Sequence, residues 1–267
     1  MEQQDHHSMK LQHTTLLAIP VYNEQDHIRP VLSAVIPRAG DILVIDDGSD
    51  DLTPRILTEF PVEIVRHAIN RGYGRSMQQI LHWAVDNGYE WVVTMDCDLQ
   101  HEPAALPLFA EMIAMNQCDV ISGSRYLQEA EMIDQPPVER RTINQLITTE
   151  INHRLGLELT DAFCGFKAYR TACVAGLPLD IDGYDFPMQF WVAAAAADLR
   201  ISEVPVDLIY NDPNRSFGGP LDDPGHRLSV YRKTLHRALL RHRDSLDPSA
   251  YEDLLQQVTG AVSQGTP

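Results

Sequence analysis

The chain has 267 residues, 44% of them apolar, and a formal net charge of −17. That is enough for one large domain with a sizeable core, while the acidic balance argues against broad nucleic-acid binding, which needs clustered cations. No apolar run approaches the roughly 20 residues of a membrane span, and Cys97, Cys118, Cys164 and Cys173 form no C-x-x-C pair or regular framework, so reduced thiols are expected.

Residues 1–13 are polar and His-rich, without the apolar segment of a signal peptide; a disordered tail and a cytoplasmic protein are expected. Residues 14–20 read as a first strand. The turn Pro20-Val21-Tyr22-Asn23-Glu24 follows, then a helix over 25–36 with Ile28, Val31, Leu32 and Val35 at 3–4 spacing. Residues 41–46 form a second strand, near-continuous in apolar residues as a two-sided parallel strand should be. It ends in Asp46-Asp47-Gly48-Ser49-Asp50, where Ser49 or Asp50 can cap a helix running to about Phe60.

A third strand is expected over 62–67. Asn70-Arg71-Gly72-Tyr73-Gly74-Arg75-Ser76 is a turn into a helix that closes near Asn87-Gly88. The fourth strand, 90–95, runs straight into Asp96-Cys97-Asp98-Leu99-Gln100-His101. Two carboxylates at the carboxyl end of a buried strand, where open α/β sheets bind ligands, suit Mg²⁺ or Mn²⁺ together with phosphate oxygens. A solvated acidic turn is the plainer reading of that pair taken alone. Pro103 opens a helix to about Asn116, and 118–122 is a short fifth strand. Strand–helix alternation through four units predicts a mostly parallel sheet with right-handed crossovers.

Beyond that the pattern changes. Residues 128–137 are acidic and end in Pro136-Pro137, a loop. Residues 138–155 are helical, with Ile143, Leu146, Ile147 and Ile151 on one stripe; 160–170 is an irregular strand or hairpin. A helix over 186–199 begins at Pro187, a strand covers 200–208, and 210–220 is a loop. Residues 225–243 carry Arg227, Arg232, Lys233, Arg237, Arg241 and Arg243 without an acid, and Leu228, Tyr231, Leu235 and Leu239 share a face. Two readings of this basic amphipathic helix stay open: a membrane-surface element, or a helix packed on the sheet. Residues 247–267 read as a short helix and a frayed end.

Glu24, Asp46-Asp47 and Asp96/Asp98 thus stand at the carboxyl ends of successive strands, which in a parallel sheet share one edge. Ile19-Pro20-Val21-Tyr22-Asn23-Glu24, Val44-Ile45-Asp46-Asp47-Gly48-Ser49 and Met95-Asp96-Cys97-Asp98-Leu99-Gln100-His101 resemble the family 2 glycosyltransferases of the GT-A fold. Ser122-Gly123-Ser124-Arg125-Tyr126 and Thr160-Asp161-Ala162-Phe163-Cys164-Gly165-Phe166-Lys167-Ala168-Tyr169-Arg170 are similar to the dolichyl- or polyprenyl-phosphate mannosyltransferase branch. The resemblance covers about 14–240. It implies an α/β GT-A domain over 14–243, with a nucleotide-sugar half (14–124), an acceptor half (125–243) and a tail (244–267).

The resemblance further implies that Pro20, Tyr22 and Glu24 line the base and ribose pocket, with Asp46 accepting from the base and Asp47 either joining it or orienting it. Asp96, Asp98 and Gln100 match the metal positions, and Gly72 and Gly74 the Gly-x-Gly before the third helix. Arg215 falls in the loop implied to close over the donor phosphates; Arg125 and one of Arg140 or Arg141 match arginines implied to hold the acceptor phosphate. Guanidinium forks suit phosphate oxygens. The implied reaction is metal-dependent, inverting transfer of mannose or glucose from GDP or UDP to a polyprenyl phosphate. An anionic acceptor needs positioning rather than a base; a hydroxyl acceptor would need one, with Asp161 the candidate, although shaping a pocket is the preferred role for it. Gln189 stands where many relatives carry an acid. Transfer to a soluble or glycolipid hydroxyl, and an inactive nucleotide-sugar-binding subunit, are the alternatives. Membrane contact is expected to be peripheral, through 225–243.

Overall fold

The computed structural model describes residues 10–98, 103–127, 137–207, 209 and 219–256. In chain order the elements are β1 (Thr15–Val21), α1 (Ile28–Val35), β2 (Asp41–Asp46), α2 (Thr53–Leu57), β3 (Glu63–Arg66), α3 (Tyr73–Asp86), β4 (Trp91–Thr94), α4 (Leu106–Met115) and β5 (Val120–Ser124). The second half adds α5 (Val138–Leu155), β6 (Lys167–Arg170), α6 (Thr171–Val174), α7 (Phe186–Ala196), β7 (Ile201–Pro205) and α8 (Pro224–Arg241). Seven strands form one sheet in the order β3-β2-β1-β4-β6-β5-β7. All neighbours are parallel except β6, which runs antiparallel to both β4 and β5.

Alternation along the strands builds two cores. Leu16 and Ala18 of β1, with Leu43 and Ile45 of β2, face α3, α5, α7 and α8. Leu17 and Ile19, with Ile42 and Val44, face α1 and α4. Period-2 side chains on a sheet covered on both sides give this three-layer arrangement. Asp46 pairs with Val21 in the β1–β2 register, and the β1–β4 register stops at Ala18 opposite Thr94. The sheet order reverses between β1 and β4, so the crevice at their carboxyl ends is the topological switch point.

Several expectations need correction. Ser49 and Asp50 cap no helix: α2 starts only at Thr53 and has no side-chain cap. Both side chains instead accept from Asn23, Ser49 Oγ from its backbone N–H (2.9 Å) and Asp50 Oδ1 from its amide (2.8 Å). Of 160–170 only Lys167–Arg170 is strand. Leu146 points outward, while Ile143, Ile147 and Ile151 pack in the core. The 128–136 stretch and most of the 210–220 loop lie outside the described residues, as do 1–9 and 257–267.

Helix α8 is a packed helix, but chiefly on α5 and α7 rather than directly on the sheet. Tyr231, Leu235, Ala238 and Leu239 are buried against α5 and α7. Arg227 pairs with Glu139, Arg232 and His236 with Glu150 (2.9 and 2.7 Å), and Arg241 with Asp180 (2.8 Å). Its apolar face is therefore spent inside the protein, and a lipid surface would meet only its outward side chains.

Candidate active site

At the β1–β2 end, the two carboxylates of Asp46-Asp47 have different work. Asp46 is fully buried; its Oδ1 accepts from the Ser49 N–H (2.9 Å). Its Oδ2 lies 3.1 Å from Arg66 Nε as an ion pair but has no partner of hydrogen-bond geometry among the described residues. Asp47 has partners on both oxygens: Oδ1 lies 2.6 Å from His67 Nδ1 and accepts from the Arg71 N–H, and Oδ2 accepts from the Gly72 N–H. Tyr22 is exposed and Pro20 half-buried on the same rim, and Glu24 Oε2 lies 2.7 Å from His27 Nδ1.

The strand-end pair Asp96 and Asp98 emerges at the switch point, Asp96 half-buried and Asp98 buried. Asp96 rests on the backbone of Gly165, where a Cβ would come within 2.2 Å of its Oδ2. Thr94 Oγ1 donates to the Gly165 carbonyl (2.8 Å), and Lys167 Nζ donates to the Cys164 carbonyl. Lys167 is buried over the Trp191 ring, 5.3 Å from its centroid, and burial pushes its ammonium down. Burial, then the Asp96 charge, push the Tyr73 phenol well above its ordinary value. No group of three or more His, Cys, Asp or Glu arranged for an ion occurs among the described residues, and Gln100 lies outside them. Two hard carboxylates that leave coordination positions to phosphate oxygens and water fit Mg²⁺ or Mn²⁺.

Gly165→Ala should displace the Asp96 carboxylate. A shift of about 1 Å at a reacting centre costs about 100-fold in rate. Steady-state kinetics are expected to show a loss of that order, with a nearly unchanged melting temperature.

On the acceptor side, Arg125 is not a free fork. Its Nε and Nη2 donate to Asp161 Oδ2 and Oδ1 (2.6 and 2.9 Å), and Asn144 Nδ2 donates to the same Oδ1 (2.8 Å). Asp161 is 0% exposed. Burial alone would push its carboxyl up, but the Arg125 guanidinium and the Asn144 amide overcome this and hold it well below the usual carboxylate range. Buried under two guanidinium donors and an amide, this carboxylate is the counter-ion of Arg125. Arg125 and Arg141 both lie 5.7 Å from the Tyr126 ring centroid. Arg141 is exposed and Arg140 half-buried on α5, so Arg141 is the more open of the expected phosphate ligands.

Gly72 and Gly74 make room for protein. Gly72 has φ +100°, and a Cβ there would meet the Asp182 carbonyl at 2.4 Å; at Gly74 it would meet the Ile181 carbonyl at 2.1 Å. The 178–183 loop they accommodate is clamped by Gln189. Its Oε1 accepts from the N–H groups of Asp180 and Ile181, while Nε2 donates to Asp180 Oδ1 and the Pro178 carbonyl. Only an amide can both donate and accept in this way, so Gln189 has a role that an ionised acid could not fill. Arg215 lies outside the described residues. Composition and spacing did not single out Arg66, His67, Asn144 or Lys167, because their partners are distant in the chain.

Residues 17–175 match the family described as glycosyl transferase family 2. The undecaprenyl-phosphate mannosyltransferase of Micrococcus luteus is 30% identical over 212 residues, covering 75% of this chain and 86% of that protein. The polyprenol monophosphomannose synthase of Mycolicibacterium smegmatis is 28% identical over 204 residues, covering 72% and 76%. Among solved structures, glucosyl-3-phosphoglycerate synthase from Mycobacterium tuberculosis in complex with Mn²⁺, UDP and glucosyl-3-phosphoglycerate superposes with a TM-score of 0.64. It shares 17% identity, over 84% of this chain and 79% of the other. At that identity the likeness concerns the fold alone, which is GT-A.

Proposed function

The chain belongs to glycosyl transferase family 2 and is a glycosyltransferase; from that premise we propose that it moves mannose or glucose from a nucleoside diphosphate to a polyprenyl phosphate, inverting the anomeric centre. The observation that carries this reading is the seating of Asp96 against Gly165. The strand-end carboxylate of the proposed donor half and the segment that begins with Asp161 meet there, which supports a reading with donor and acceptor in one crevice. The names of the Micrococcus and Mycolicibacterium relatives support the acceptor class.

In this reading Asp46 Oδ2 accepts an N–H of the GDP or UDP base, Pro20, Tyr22 and Glu24 border that pocket, and Asp47, Gly72 and Gly74 set the turn beside it. Asp96 and Asp98, with Gln100, hold Mg²⁺ or Mn²⁺. The cation, when bound, neutralises the departing diphosphate. Arg215 closes over the donor phosphates. Arg141 with Arg125, or Arg140 in place of Arg141, orients the acceptor phosphate, which is already anionic and needs no base. A hydroxyl acceptor is the poorer reading because Asp161, the carboxylate expected to serve as its base, is sealed under Arg125. No described helix is long and apolar enough to cross a membrane; contact with a membrane-held acceptor is proposed as peripheral, through the outward cations of 225–243.

A ligand that binds only the folded state raises its melting temperature by mass action. With Mn²⁺ present, GDP or UDP at about 100 times its dissociation constant should stabilise by about 2.7 kcal/mol. A panel of nucleoside diphosphates in which none raises the melting temperature would sink the donor assignment.

A further inference from the structure

We infer that His67 is a positioning residue for the nucleotide half of the site, acting through Asp47 on the turn that opens α3. The inference rests on the donor reading given above. His67 is the residue after β3, and its backbone N–H donates to the Asp46 carbonyl (2.9 Å), extending the β2–β3 ladder by one step. Its ring is buried, with Nδ1 2.6 Å from Asp47 Oδ1. A carboxylate is acceptor-only, so Nδ1 carries the proton and the ring is fixed in that tautomer. Asp47 passes the constraint on through two bonds to backbone, from Arg71 N–H (2.9 Å) and Gly72 N–H (2.8 Å).

Those two N–H groups belong to the turn that opens α3. Gly72 sits at φ +100°, and α3 begins at the next residue with no side-chain cap of its own. The carboxylate that holds this helix start is itself held by an imidazole. The other ring nitrogen, Nε2, is buried and has no hydrogen-bond partner among the described residues. A leucine would fill this volume without that unsatisfied atom. The imidazole therefore earns its place through Nδ1.

The amide of asparagine can occupy the Nδ1 position and that of glutamine the Nε2 position, so two isosteric variants separate the two nitrogens. Titration calorimetry with Mn²⁺–GDP and Mn²⁺–UDP is the direct test. His67→Gln should weaken the nucleotide that binds by about 10- to 100-fold, the worth of a hydrogen bond to a charged group. His67→Asn should recover most of that loss, staying within about threefold of wild type. In turnover the Gln variant should show the change in donor KM rather than in kcat. Equal affinities in wild type and His67→Gln, or an Asn variant as weak as the Gln variant, would overturn the inference while leaving the donor reading intact. A wild-type chain that binds neither nucleotide would overturn the donor reading and this inference with it. Should His67→Gln fail to fold, imidazole ¹⁵N resonances of the wild type decide: a protonated Nδ1 is required, and a protonated Nε2 with bare Nδ1 would refute it.

Discussion

Replacing Asp98 with alanine, or Asp96 with asparagine, is expected to lower sugar transfer by about a thousand-fold or more while the fold persists. That is about 4 kcal/mol of transition-state stabilisation. The loss should be this large because both residues sit at the one place where the sheet opens, between the carboxyl ends of β1 and β4. Neither carboxylate belongs to the two apolar cores that hold the sheet to its helices. Far-UV dichroism and melting should therefore change little, while Mn²⁺ affinity in the presence of nucleotide should fall in parallel with rate. An Asp98→Ala enzyme that kept its activity would refute the metal assignment.

The second large effect concerns Arg125 and Asp161. Removing one partner of a buried ion pair strands a charge and typically costs about 3–5 kcal/mol. Arg125→Met should show that cost in chemical denaturation, because Asp161 would lose both guanidinium bonds and keep, among the described partners, the Asn144 amide and the backbone N–H groups of residues 125 and 163, none of them charged. The double variant Arg125→Met/Asp161→Leu should recover much of it, since a volume-matched apolar pair removes the stranded charge. Activity should not return with stability if Arg125 also faces the acceptor phosphate. The pH dependence has a definite sign. The folded Asp161 carboxyl is depressed, so the pair contributes in full above the unfolded carboxyl's ordinary pKa of about 3.9. That contribution is lost as pH falls through the depressed value. A wild-type chain whose acid unfolding matches that of the double variant would contradict the role of the pair.

Local pattern carried much of the fold. The second strand, 41–46, and the long helix, 138–155, have in the structure the bounds read from residue type alone, because each is closed by its own chemistry: carboxylates after the strand and Gly156 in the left-handed region after the helix. The shared edge of Glu24, Asp46-Asp47 and Asp96/Asp98 was legible for the same reason: alternating strands and helices dictate a parallel sheet. What could not be read was partnership at a distance. Arg125 stands 36 residues from Asp161, and Asp96 about twice that from Gly165, so neither pairing leaves a periodic trace. Ser49 and Asp50 have the residue types of helix caps, yet Asn23, which takes them, lies on the neighbouring strand's loop. The 225–243 stripe was ambiguous because a face that packs on α5 and α7 has the same spacing as one that lies on a bilayer.

Transfer of radiolabelled hexose from GDP-mannose or UDP-glucose to detergent-solubilised undecaprenyl phosphate tests the central claim most directly. Label should move into the organic-extractable product with one of the two donors, and chelation of divalent cations should stop it. Label that enters only water-soluble acceptors, or transfer that continues undiminished after chelation, would contradict a cation-assisted transfer to a lipid phosphate at the β1–β4 crevice.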